Sequence, residues 1–338
     1  MSDTLRRIAL ARRPKGAPVA EDFSFETGAL PEPGDGEALV EVTHFSLDPY
    51  MRGRMDDAKS YAEPVAIGAT MTAQGVGRVL ASRAEGLTEG TLVTGMTGWA
   101  SHAVLPATDL TPVPDGVEPT AVLGVLGMPG LTGWYGLHEI GQPQRGETLV
   151  VAAATGPVGS MVGQLAKAAG LRTVAVAGGA EKCAMARDVY GFDAAIDHRA
   201  HDDAKSLRGA LAEAAPDGVD IYFENVGGKV LEAVLPLMNT HGRMPVCGMV
   251  AWYGGAEDTG DRLPAAWRSV LVKRLKVQGF IIMDHWDRMP DFLSDVGPRV
   301  AKGEIAWRED VAEGIERAPE AFIAMLKGGN TGKQVVRV

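Results

Sequence analysis

Apolar and polar residues alternate in short runs between about Ala38 and Val104, and glycine-rich turns separate the runs. The pattern predicts strands at Ala38–Val42, Gln74–Ala81, Thr91–Thr94 and Ala100–Val104, folded as a small β-barrel. After Pro119 the rhythm changes. A continuous apolar run, Thr148–Ala153, is followed by a helical period over Val158–Ala169, a strand at Arg172–Ala177 and a helix over Glu181–Val189. This alternation predicts a doubly wound parallel sheet, so the chain is α/β. Further strands expected at Ala194–Asp197, Val219–Glu224, Arg243–Cys247 and Lys276–Phe280 nearly fill six places in that sheet. A helix is expected at Ala318–Leu326. The last strand, Gln334–Val338, has no place in the parallel sheet and is expected to return to the barrel. The glycine-rich stretch Trp252–Ala265, set between core elements, is the loop expected to cover a site.

Length and charge narrow the picture. A chain of 338 residues exceeds the usual single core, so two domains sharing one site in the cleft between them are expected. With 43 acidic against 33 basic residues, the net charge of −10 argues against nucleic acid as a partner, since such binding depends on clustered Lys and Arg. Two uncharged runs, Pro119–His138 and Thr148–Ala166, are broken by Gly and Pro and read as buried core, with no membrane span. Cys183 and Cys247 are too few for a disulfide framework or a cysteine zinc site, which fits a reducing, cytoplasmic setting. The segment from Met1 to Gly16 lacks the uninterrupted apolar core of a secretory signal.

Val150 to Gly163 reads VVAAATGPVGSMVG, a strand running into Gly156, Gly159 and Gly163 and then a helix. Small residues there allow a tight turn, with Ala154 at the first glycine position, and the helix N-terminus offers unpaired N–H groups to a pyrophosphate. A tight turn without a ligand has the same glycines; the strand before, the helix after and the continuing alternation favour a dinucleotide in a Rossmann domain. An NAD enzyme carries an acid about 20 residues further on, for the ribose 2′-hydroxyl. Here that place falls in Ala177-Gly178-Gly179, with Lys182 one turn later, so a 2′-phosphate and hence NADPH is expected.

Five segments, FSLDPYMRGRM (Phe45 to Met55), GMPGLTGWYGL (Gly127 to Leu137), AAATGPVGSMVGQLAK (Ala152 to Lys167), YFENVGG (Tyr222 to Gly228) and LKGGNTGK (Leu326 to Lys333), together resemble the zinc-independent medium-chain dehydrogenase/reductases. The similar branch holds the prostaglandin reductases, alkenal double-bond reductases and curcumin reductase. The resemblance implies a Rossmann domain over 123–297, inserted in a GroES-like β-barrel catalytic domain of 1–122 and 298–338. It implies a homodimer through edge strands of the Rossmann sheets. It places Thr155, Gly156, Val158 and Gly159 on the pyrophosphate, Lys182 at the 2′-phosphate and Met128 and Thr132 beside the nicotinamide, with Gly178 and His198 as further cofactor-binding candidates. Asn225, Cys247, Phe280, Ile282 and Asn330 are its further cofactor contacts.

The zinc motif of the wider superfamily would fall at Gly68-Ala69-Thr70, where no ligand stands, so no metal is expected. Two departures stand out: Asp197-His198-Arg199 where relatives carry Tyr, with Asp197 opposing a phosphate, and Pro157, which removes a backbone donor. A hydride donor without a metal suits an α,β-unsaturated ketone or aldehyde, in which charge develops on the carbonyl oxygen. The resemblance assigns Tyr253 to that oxygen, with Tyr50 and Tyr61 as further pocket tyrosines. Trp252, Trp267, Phe280 and Ile282 are expected as apolar walls. Quinone reduction is the enzymatic alternative, and a non-catalytic NADPH-binding protein the other.

Overall fold

The computed structural model describes residues 4–254 and 262–338, so the middle of the Trp252–Ala265 loop lies outside the described residues. The chain divides into two compact units, Met1–Gly127 with Glu309–Val338, and Met128–Arg308.

The first unit begins with β1 (Thr4–Leu10), β2 (Phe23–Ala29), β3 (Glu37–Ser46), β4 (Gly75–Ser82), β5 (Leu92–Gly95), β6 (His102–Pro106) and β7 (Thr111–Pro112). The second holds β8 (Thr148–Ala152), β9 (Arg172–Ala177), β10 (Ala194–Asp197), β11 (Val219–Phe223), β12 (Met238–Val246) and β13 (Lys276–Gly279). The chain then returns to the first unit with β14 (Glu309–Glu313), the helix Ala318–Leu326 and β15 (Lys333–Arg337). The last strand joins the first unit as the sequence indicates.

In the second unit the order β10-β9-β8-β11-β12-β13 is parallel throughout. Every residue of β8 is buried, because helices cover both faces of a parallel sheet and leave no polar side to the strand. Val150, Val174, Leu207, Leu211, Tyr222 and Val234 form its core. A register shift beside β11 lets β12 start at Met238, earlier than the expected Arg243. In the first unit β3 is the axis: it pairs with β4 along one edge and with β6 and then β15 along the other. Trp99 fills the core there, stacked on Phe23 and Phe45 with Phe322 edge-on.

The second boundary falls after Arg308, beyond the expected residue 298. The helix Met289–Ala301 stays with the second unit because its Phe292 packs edge-on to Trp134, whose indole N–H donates to Asp295 at 2.8 Å. Among the described residues no helix is long and apolar enough to cross a membrane.

Candidate active site

The fingerprint turn is tight enough to force its own sequence. Ala153 leaves β8 in the left-handed region, φ 51°, and Gly156 caps the helix Pro157–Ala168. At Gly159 a Cβ would stand 2.4 Å from the Ala153 carbonyl oxygen and 2.8 Å from the Ala154 Cα, backbone atoms that cannot give way. At Gly156 it would meet only the Ala153 oxygen at 3.4 Å, which leaves that face of the turn open to a ligand. Pro157 takes the first helical position, where an N–H has no acceptor within the helix, and Val158 and Gly159 supply the first-turn donors. Gly163, further along the helix, admits a ring: a Cβ there would stand 1.9 Å from Phe192 Cζ. The buried Thr155 lies within the turn.

Cations gather beyond β9 and β10. The Gly178 backbone packs against His198 and Arg199, with Arg199 Nε 2.8 Å and His198 Nε2 3.0 Å from where a Cβ would be. Burial lowers the His198 imidazole pKa, and Lys229, Arg199 and Lys182 push it the same way against Asp197. The half-buried Asp197 is engaged by backbone: its Oδ1 accepts from the N–H groups of Gly179 at 2.8 Å and Arg199 at 2.9 Å. Burial raises its pKa, but those bonds, with His198 and Arg199, hold it below the usual range. Lys229, which sequence reasoning passed over, donates to the His198 carbonyl at 2.9 Å and to that of His201.

Across the sheet, Asn225 follows β11, and its Nδ2 donates to the Ala152 carbonyl at 2.7 Å, tying the ends of β8 and β11. The segment carrying Tyr253 lies on the same turn. Cys247 and Gly248 donate to the Glu224 carbonyl, Val250 to that of Asn225 and Ala251 to that of Val226. The residues that lead into the Trp252–Ala265 loop are thus anchored. The half-buried Tyr253 accepts at Oη from Met249 N at 3.5 Å, and a Cβ on Gly248 would meet that hydroxyl at 3.4 Å and the Asn225 carbonyl oxygen at 3.2 Å. Glu224, quoted within its motif but given no role, is buried here. The Cys247 thiol is pushed up to about 12 by burial and by the Glu224 charge, and remains protonated.

Thr132 donates back to the Met128 carbonyl at 2.7 Å, so its hydroxyl proton is engaged within its own helix, Met128–Tyr135. Phe280 packs on Tyr135 and edge-on to Phe223, and Ile282 is buried. Trp252 stands over Gly227, whose Cβ would lie 2.6 Å from the indole. Trp267 is 63% exposed on the helix Leu263–Lys273 and walls nothing within its unit.

Tyr50, Tyr61 and Asn330 belong to the first unit. Arg54 lies 5.9 Å from the ring centres of both Tyr50 and Tyr61. Burial raises the Tyr50 hydroxyl well above its ordinary pKa, helped by Asp48 and opposed by Arg54 and Thr72, which keeps it a proton donor. Asn330 donates to the Gly332 carbonyl at 2.8 Å within its own turn. Sequence reasoning also missed a buried ion pair, Lys333 to Asp48 at 2.5 Å, supported by the Leu47 carbonyl and by the Ser46 hydroxyl, which donates to Asp48.

Two family models match, described as the N-terminal domain of oxidoreductase over residues 6–113 and as zinc-binding dehydrogenase over residues 157–296. The NADPH-dependent curcumin reductase of Escherichia coli (strain K12) is 50% identical over 337 residues, 98% of this chain and 96% of its own. The chain belongs to the medium-chain dehydrogenase/reductase family. Another member, the 2-alkenal reductase (NADP(+)-dependent) of Nicotiana tabacum, is 38% identical over 98% of this chain and 97% of its own. The crystal structure of CurA in complex with NADPH from Vibrio vulnificus superposes with a TM-score of 0.93 at 47% identity, covering 98% and 99% of the two chains. In this member of the family the positions of the zinc motif are occupied by backbone work: Arg7 donates to the Thr70 hydroxyl and the Gly68 carbonyl, and Leu10 to the Ala69 carbonyl. No group of three or more metal-binding side chains occurs among the described residues.

Proposed function

We propose that this NADP-dependent oxidoreductase reduces the carbon–carbon double bond of α,β-unsaturated ketones or aldehydes, with Tyr253 as hydrogen-bond donor to the carbonyl oxygen. The observation that carries the reading is the Tyr253 hydroxyl lying against Gly248, whose other close neighbour is the Asn225 carbonyl, in the segment that docks on the turn after β11, at the carboxyl ends of the parallel strands where ligands of such sheets bind. NADPH is the cofactor, and this chain's residues suit it. Gly156 leaves room at the turn, Val158 and Gly159 offer N–H groups to the pyrophosphate, and Lys182, Arg199 and Lys229 make a cationic setting for the 2′-phosphate around Gly178 and His198. When bound, NADPH supplies the hydride. As the β-carbon takes the hydride, charge gathers on the carbonyl oxygen, where the Tyr253 hydroxyl stabilises it with a hydrogen bond, and the α-carbon then takes a proton from water to complete the reduction. A panel of enals, aryl enones and quinones, followed by NADPH oxidation, tests the reading; turnover of quinones alone would overturn it.

NADPH is expected to bind at least tenfold more tightly than NADH, a difference of about 1.4 kcal/mol, and Lys182→Ala should erase most of it. Titration of wild type giving equal affinities would refute this. Since no ligand stands at Gly68 to Thr70, activity should survive exhaustive chelation. One tightly held zinc per chain, found by elemental analysis, would contradict that.

A homodimer is proposed through the edge strand β13. It is exposed along its length, and the helix Leu263–Lys273 that leads into it displays Trp267 and Leu271, apolar surface of the kind that pairing covers. Sedimentation should give twice the chain mass for wild type and the chain mass for Val277→Pro; a monomeric wild type sinks the proposal. Cys183 and Cys247 stand unpaired, which supports the cytoplasm as the setting.

A further inference from the structure

We propose that Glu224 is the positioning residue of this site: its buried carboxylate holds the 225–227 turn in the one shape that seats both Asn225 and the segment ending in Tyr253. The inference rests on the reading of those two residues given above. Glu224 is 2% exposed at the end of β11, where an uncompensated carboxylate would be costly. Its oxygens divide the compensation. Oε1 accepts from both Val226 N at 2.6 Å and Gly227 N at 2.8 Å, and Oε2 accepts from the Tyr222 hydroxyl at 3.0 Å. Tyr222 is itself fully buried, and burial followed by the Glu224 charge raises its pKa, so it stays a donor.

The turn so held is a template. Gly227 sits at φ 77° with the Trp252 indole where a side chain would be, so only a glycine in this conformation lets the later segment dock. The carbonyls of residues 224, 225 and 226 then face the N–H groups of Cys247 at 2.9 Å, Gly248 at 3.2 Å, Val250 at 3.3 Å and Ala251 at 3.0 Å. Asn225, between the clamped residues, reaches Ala152 at the fingerprint turn. One carboxylate therefore sets the cofactor amide and the catalytic phenol together, although it touches neither cofactor nor substrate.

The test uses the full chain with Glu224→Gln, Glu224→Leu and Glu224→Asp. Glutamine keeps the Oε1 acceptor, and leucine removes it at similar volume. Amide hydrogen exchange is measured without cofactor, and NADPH affinity and melting separately. Glu224→Gln should stay within about threefold of wild type in NADPH affinity and in exchange at residues 247–251. Glu224→Leu should speed exchange at Gly248, Val250 and Ala251 and weaken NADPH binding, each at least about tenfold, with amides of β8 and the helix Pro157–Ala168 unaffected. Should Glu224→Leu fail to fold, Glu224→Asp, one methylene short of the two N–H groups, should show the same local pattern at about threefold or more. Folded Leu or Asp variants that melt lower yet keep wild-type exchange at 247–251 and wild-type NADPH affinity would reduce Glu224 to a core residue and overturn the proposal. An unchanged turnover in Tyr253→Phe would count against the catalytic reading alone, since exchange is read with the site empty of substrate.

Discussion

Tyr253→Phe is expected to lower enone turnover by roughly tenfold to a thousandfold while NADPH affinity stays at the wild-type value. Phenylalanine keeps the ring and removes only the hydroxyl, so packing of the segment on the β11 turn survives. A preorganised donor lost from a water-poor site costs about 2.7 to 4 kcal/mol, and a donor that shares its task costs nearer 1 to 2 kcal/mol. Quinone turnover should fall less, since charge there is not gathered on one oxygen in the same way. Turnover within about twofold of wild type, worth only ~0.4 kcal/mol, would make Tyr253 a wall residue and move the search to Tyr50, whose hydroxyl is held protonated.

Lys333→Met is expected to destabilise the first unit by about 3 to 5 kcal/mol. The pair it breaks is 3% and 8% exposed, so removing the ammonium leaves the Asp48 carboxylate buried with only the Ser46 hydroxyl in place of its cation. For a unit of this size that corresponds to a fall of roughly 6 to 20 °C in melting temperature. Lys333→Met with Asp48→Leu should recover much of the loss, because an apolar pair of similar volume has no charge to desolvate. A single variant melting within about 2 °C of wild type would show that the carboxylate finds another partner.

The strands of the second unit were legible apart from the start of β12, since strands in a covered parallel sheet become apolar runs; Arg172–Ala177 and Ala194–Asp197 fall where the pattern places them. The strands β1, β2 and β14, and the two-residue β7, went unseen. Thr4–Leu10 carries two arginines, Phe23–Ala29 is exposed over most of its length, and Glu309–Glu313 is an acidic edge strand with one neighbour, so none presents a clean alternation. Within the site, the glycines and the missing acid at Gly178 announce themselves because each is a local steric or electrostatic requirement. Glu224 and Lys333 do not, because a charged residue in sequence looks solvated until its burial and its partner are known, and Asp48 lies 285 positions from Lys333.

That separation has a consequence during synthesis. At about 5 to 20 residues per second, Asp48 emerges roughly 15 to 60 s before the lysine that neutralises it. Throughout that interval the His44–Ser46 end of β3 has no neighbour on the side where β15 will add, while the second unit, continuous in the chain from Met128 to Arg308, has every strand it needs and can complete its sheet first. Pairing of that end of β3 with β15 is therefore a late event in the life of the nascent chain, and a ribosome stalled between the end of the second unit and β15 would carry a finished nucleotide-binding fold together with a strand end that is still open and competent to pair wrongly.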